Sequence, residues 1–124
     1  MNKIEAAIFE RMKTLVAAPV YLREAPQEED SACVVFGLSL SSDVTGTAPV
    51  WAGTIAASCY AGVYADAGAL AALLAAGMEG WRYGGPGLRI GPCVKVASDA
   101  SYESDWQLYR STLNWAAQIV EWGA

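Results

Sequence analysis

At 124 residues the chain has the length of one domain, enough to bury roughly two-thirds of the surface exposed on unfolding. Its residues are 54% hydrophobic and 17% charged, which excludes a disordered segment and leaves few of the groups that usually coat a lone monomer. A net charge of -5, with eight Lys and Arg in all, excludes a basic grip on nucleic acid, which needs clustered cations to displace phosphate counterions.

In chain order, Asn2 followed by Glu5 is the pattern of a capping box. Ile4, Ile8, Met12 and Leu15 then fall at helical spacing, which predicts an amphipathic helix from Lys3 to Val16, ended by Pro19. Val20 to Leu22 is a short strand, and Glu24 to Asp30, containing Pro26, is a polar connection. Cys33 to Leu40 is rich in Val, Phe and Leu and predicts a strand, followed by a loop over Ser41 to Pro49.

Val50 to Tyr64 is predicted as a longer strand, pairing with the preceding one as a long central hairpin with a mobile tip. One face carries Trp51, Gly53, Ile55, Ala57, Cys59, Ala61 and Val63; the other carries Ala52, Thr54, Ala56, Ser58, Tyr60, Gly62 and Tyr64. Asp66 is the expected N-cap of a second helix with Leu70, Leu73 and Leu74 inward and Gly77 as its stop. Gly84 to Gly87 breaks the chain, and Leu88 to Val96 reads as a strand interrupted by Gly91 and Pro92. Ser98 to Asp105 reads as a Ser-rich acidic loop. From Leu108 to Val120 the periodicity fits a strand and a helix alike.

The order of elements gives an α+β domain spanning residues 1–124: a mixed, mainly antiparallel sheet with two helices packed on one face. Trp51 and Trp115 are assigned to its core. Val44 to Ala65 is uncharged and long enough to raise the question of a membrane span, but Pro49 and its Gly, Ser and Thr residues argue against one. The opening Met1 to Glu5 lacks the layout of a signal peptide.

The residues offer little chemistry. There is no histidine, hence no imidazole base and no Cys/His zinc set. Cys33, Cys59 and Cys93 are far apart in sequence and suit small buried hydrophobes in a reducing compartment. Glu28, Glu29 and Asp30, and the spaced Asp99, Glu103 and Asp105, are expected as solvated acids, with no metal or cofactor assigned. The Gly84 to Gly87 run lacks the Lys-Ser or Lys-Thr of a phosphate-binding loop. The expectation is a protein that is not an enzyme.

Between Ser31 and Met78 only Asp43 and Asp66 are charged, and no Lys or Arg occurs between Arg23 and Arg82. A monomeric hairpin normally keeps one charged face, and Lys commonly guards an exposed sheet edge. The pattern predicts that a face or edge of this hairpin meets another subunit. Thr54, Ala56, Ser58, Tyr60 and Tyr64 are the candidates there, with Trp81, Tyr83 and Trp106 as aromatic anchors in or beside loops.

The layout resembles the short tail-completion or tail-terminator proteins of long-tailed bacteriophages and related particles. The resemblance runs through the helix Ile4 to Val16, the Val20-Tyr21 and Pro26 passage, Val34-Val35-Phe36, the strand ending at Tyr64 and the Ala/Leu helix after it. It closes on Leu108-Tyr109-Arg110-Ser111-Thr112-Leu113 and favours a strand for Leu108 to Val120. The Gly84 to Gly87 and Ser98 to Asp105 segments are long for that family, and Trp122 is extra.

The resemblance implies a non-enzymatic ring, usually a hexamer of the chain with itself. Such a ring caps the completed tail tube, ends its polymerisation and presents a surface to the head-tail connector, DNA passing through the lumen without specific binding. It implies a place in the virion tail, after assembly in the host cytoplasm. A head-tail adaptor or tube-like minor tail protein of similar fold is the alternative, and a small-molecule-binding α+β domain is the alternative of a different class.

Overall fold

The computed structural model describes residues 1–25, 32–42, 50–104 and 107–122. Its first element, α1 (Lys3–Leu15), begins on the expected capping box: the Glu5 amide donates to Asn2 Oδ1 at 2.7 Å, and the Asn2 amide donates to Glu5 Oε1 at 3.0 Å. Ile4, Ile8 and Met12 recur along one side of the helix and are buried. Val16 leaves the helix in an extended conformation, and Pro19 follows, which cannot continue it.

β1 (Val20–Leu22) runs parallel to β2 (Cys33–Ser42), which turns back antiparallel against β3 (Val50–Ala61). The hairpin is in register from Cys33 opposite Tyr60 to Ser42 opposite Trp51. Ser41 and Ser42 extend the strand where the sequence suggested loop, whereas the tip at 43–49 lies outside the described residues. β7 (Leu108–Glu121) pairs antiparallel with the whole of β3, from Val50 opposite Val120 to Ala61 opposite Tyr109. That settles the tail as a strand.

β3 stops at Ala61, so Val63 and Tyr64 do not continue it. Val63 is the N-cap of α2 (Tyr64–Met78) and makes no side-chain cap, while Asp66 stands in the first turn. There its charge favours the amide end of the helix. The inward stripe of α2 is Ala67, Leu74 and Met78; Leu73 is 51% exposed, contrary to its expected place. Gly77 does not end the helix. A methyl group there would collide with the Leu15 side chain, so this glycine sets how closely the helices approach.

Gly84 and Gly85 belong to a strand, β4 (Tyr83–Gly85), which forms a tight hairpin with β5 (Leu88–Ile90) around Pro86 and Gly87. Gly87 has φ +74°, a conformation that favours glycine. Leu88 to Val96 is therefore not one strand. β5 ends at Ile90, and β6 (Val94–Glu103) begins separately after Gly91 to Cys93. The segment expected as an acidic loop is strand through Glu103, pairing with β7 along 108–116 and carrying a bulge between Lys95 and Ala97.

The sheet order is β1-β2-β3-β7-β5-β4, with β6 beside β7 on the same side as β5. Both helices lie on one face. The core there centres on Trp115 opposite Ile55, both fully buried, with Phe36, Leu113, Leu74 and Met78 around them. Each large side chain so enclosed contributes roughly 2–3 kcal/mol. Trp51 is half-buried and packs against this core.

Candidate assembly surface

The opposite face of the sheet carries no helix. Along β3 it presents Thr54, Ala56, Ser58 and Tyr60, flanked on β2 by Ser39, Gly37 and Val35 and on β7 by Ala116, Asn114, Thr112 and Arg110. The alternation is strict. Gly53, Ile55, Ala57, Cys59 and Ala61 are buried, while Thr54 is exposed and Ala56, Ser58 and Tyr60 are half-buried. The four candidate residues of β3 therefore sit together on one surface made of small hydroxyl and methyl groups. Its described charge gathers at one end, where Arg110 Nη2 meets Glu103 Oε1 at 3.1 Å.

The remaining candidates lie elsewhere. Tyr64, at the start of α2, meets the Tyr109 ring edge-on at 5.7 Å, and Tyr102 approaches Tyr109 from β6 at 4.8 Å. Ending β3 at Ala61 is what carries Tyr64 away from Tyr60. Trp81 and Tyr83, 6.3 Å apart, flank an open groove of about 460 Å³ against α1, with Lys3, Glu10, Arg11 and Thr14 on its other side. Arg11 is tied to the helix pair through Nη2, which donates to the Gly77 carbonyl at 2.6 Å. Trp106 lies outside the described residues, as do Glu28 to Asp30 and Asp105.

Sequence reasoning missed the outward apolar groups of the far edge: Val94, Val96 and Tyr102 on β6, all more than half exposed. Their signal was a run of Val and Tyr without the alternation that a half-buried strand shows. Asp99 and Glu103 are on the same strand, spaced four apart. Among the described residues no three Cys, Asp or Glu side chains gather as a metal site would need. The thiols are enclosed: burial pushes Cys59 up to about 12, with Cys33 adding to it, and pushes Cys93 up to about 11, with the Glu79 charge adding to it. Neither is poised as a nucleophile at neutral pH. Among the described residues no helix is long and apolar enough to cross a membrane.

No protein-family model matches the chain, and no curated protein does. Solved structures do. A chain of the virion of a native gene transfer agent particle superposes with a TM-score of 0.69 at 22% identity, over 94% of this chain and 93% of that one. The chain thus shares, from end to end, the α+β fold of a component of that virion.

Proposed function

We propose that the protein is a structural, non-enzymatic component of a phage-like particle, and that it closes the finished tail tube as a ring. The fold shared over nearly the full length with a gene transfer agent virion component carries the first part. The tail-terminator resemblance of the strands and helices carries the second. In this reading the ring binds the last layer of the tail tube protein, stops its polymerisation and offers its other side to the head-tail connector. DNA threads the lumen, where a chain of net charge -5 discourages adhesion. The helix-free sheet face and the aromatic groove on the helix side are the two surfaces available for these contacts.

The test is addition of purified protein to unfinished tails, followed by electron microscopy. A terminator halts tube growth and appears as one ring at the tube end. Continued extension with the protein incorporated would mark a tube-like protein, and binding to heads alone would mark an adaptor. A metabolite that raises Tm through the Trp81–Tyr83 groove would instead favour the small-molecule reading.

A further inference from the structure

The sheet has two unlike open edges. On one side β1 covers only Val34 to Phe36 of β2, so the outer backbone of Gly37 to Ser42 pairs with no described strand. On the other side β6 pairs with β7 alone. The first edge is unguarded: Gly37 to Ser42 contains no charge, no proline and no bulge. Leu40 is exposed there, on the helix side of the sheet.

Strand directions make the two edges complementary. β2, β3, β7 and β6 alternate antiparallel, so β6 runs opposite to β2, and β1 runs with β2. When one copy is rotated about an axis along the strands and set beside another, β6 meets an antiparallel partner at either level of the β1/β2 edge. Side chains match as well. The helix side of β6 bears Ala100 and the exposed Tyr102, facing the side of β2 that bears Leu38 and Leu40. Asp99 and Ser101 fall on the side of Ser39 and Ser41. Apolar groups meet apolar groups, and a carboxylate meets hydroxyls with no like charge opposite.

We propose that copies of this chain join edge to edge, β6 of one adding antiparallel to the β1/β2 edge of the next. This rests on the ring reading and deepens it. The contact is heterologous, so each copy keeps one free edge of each kind until a ring closes. Backbone hydrogen bonds supply the affinity, as in other strand additions. It also leaves the face of Thr54, Ala56, Ser58 and Tyr60 free for a different partner.

The test is cysteine cross-linking with a short bismaleimide, on concentrated protein and on protein bound to unfinished tails. The variants are Leu40→Cys, Ala100→Cys and the double variant, with folding checked by circular dichroism; both positions are exposed, and the native cysteines are buried. The expected result is a ladder beyond dimer in the double variant and monomer in each single variant, with mixed singles giving dimer. Dimer from Ala100→Cys alone would mean that two β6 strands pair symmetrically, and would overturn the proposal. So would rings seen by microscopy without cross-links in any variant. Absence of rings together with unchecked tube growth would instead overturn the terminator reading beneath it.

Discussion

The buried Glu5 carboxylate joins two ends of the fold: one oxygen accepts the Asn2 amide at 3.0 Å and the other meets Arg23 Nη2 at 2.7 Å. Arg23 directly follows β1 and donates its own amide to the Phe36 carbonyl at 2.8 Å. Glu5 thereby fixes the start of α1 to the parallel β1–β2 pair. Glu5→Ala removes half of the capping box and leaves Arg23 unpaired, and is expected to cost roughly 1–3 kcal/mol in urea denaturation. Arg23 also stands at φ +70°, so Arg23→Gly should cost less than Arg23→Ala, because glycine accepts that conformation. Equal losses from the two would show that the backbone is not strained.

The helix pair gives a second prediction. Glycine inside a helix ordinarily costs about 1 kcal/mol relative to alanine, so Gly77→Ala would stabilise an isolated α2. Here the added methyl would meet Leu15 Cδ1 at 2.6 Å and Cγ at 2.9 Å. Because the obstruction reaches back to Cγ, rotating the Leu15 tip does not clear it. Gly77→Ala is expected to destabilise by roughly 1–2 kcal/mol, and Leu15→Ala in the same chain to recover much of that loss. Additive losses in the double variant would refute the contact.

The buried thiols predict a pH dependence. Cys59 and Cys93 titrate near 12 and 11 in the fold, against 9.0 for an ordinary thiol. Between pH 9 and the folded values, the unfolded chain releases protons that the folded chain retains. The unfolded state then binds fewer protons, and stability falls as pH rises. Stability should be flat in these groups below pH 9 and decline above it, and Cys59→Ala should flatten part of the decline. At neutral pH, alkylation of both thiols should follow global unfolding, as measured against urea concentration. Rapid labelling of Cys59 in the native protein would contradict its enclosure.

How much of this was legible depended on whether burial wrote a period into the sequence. α1 and the strand pair β2–β3 have one covered and one open side, so Ile4, Ile8 and Met12 or Ile55, Ala57 and Cys59 announce themselves. β7 was ambiguous because Leu108, Trp115, Ile119 and Trp122 also fit a helix; pairing with β3 along its whole length decided it. β6 was illegible. Its outer edge is unpaired and it is exposed from Val94 to Ala100 on both sides, so no alternation records it as a strand. α2 failed differently: with Ala at most positions, three leucines gave too little contrast to orient the helix, and the buried stripe passes through Ala67 and Met78. The candidate surface on β3 followed from alternation alone, whereas the separation of Tyr64 from Tyr60 depended on where the strand stops.

The division of faces on β3 supplies the last prediction. Ile55 is fully buried opposite Trp115, whereas Ala56 and Ser58 are half-buried on the side without helices. A lysine at Ile55 places an ammonium group among Trp115, Leu74 and Met78 with no acid nearby, which costs more than a domain of this size has in reserve. Ile55→Lys should therefore fail to fold. Ala56→Lys and Ser58→Lys put the charge into solvent and should fold with stability changed by less than about 1 kcal/mol. In the assembled particle those same lysines would be pressed against a partner built to meet methyl and hydroxyl groups, so capping of unfinished tails should be lost. Circular dichroism, sizing and the tail-capping assay separate the outcomes. Full capping by Ala56→Lys and Ser58→Lys would show that this face meets no partner and would leave the edges and the Trp81–Tyr83 groove as the surfaces that do.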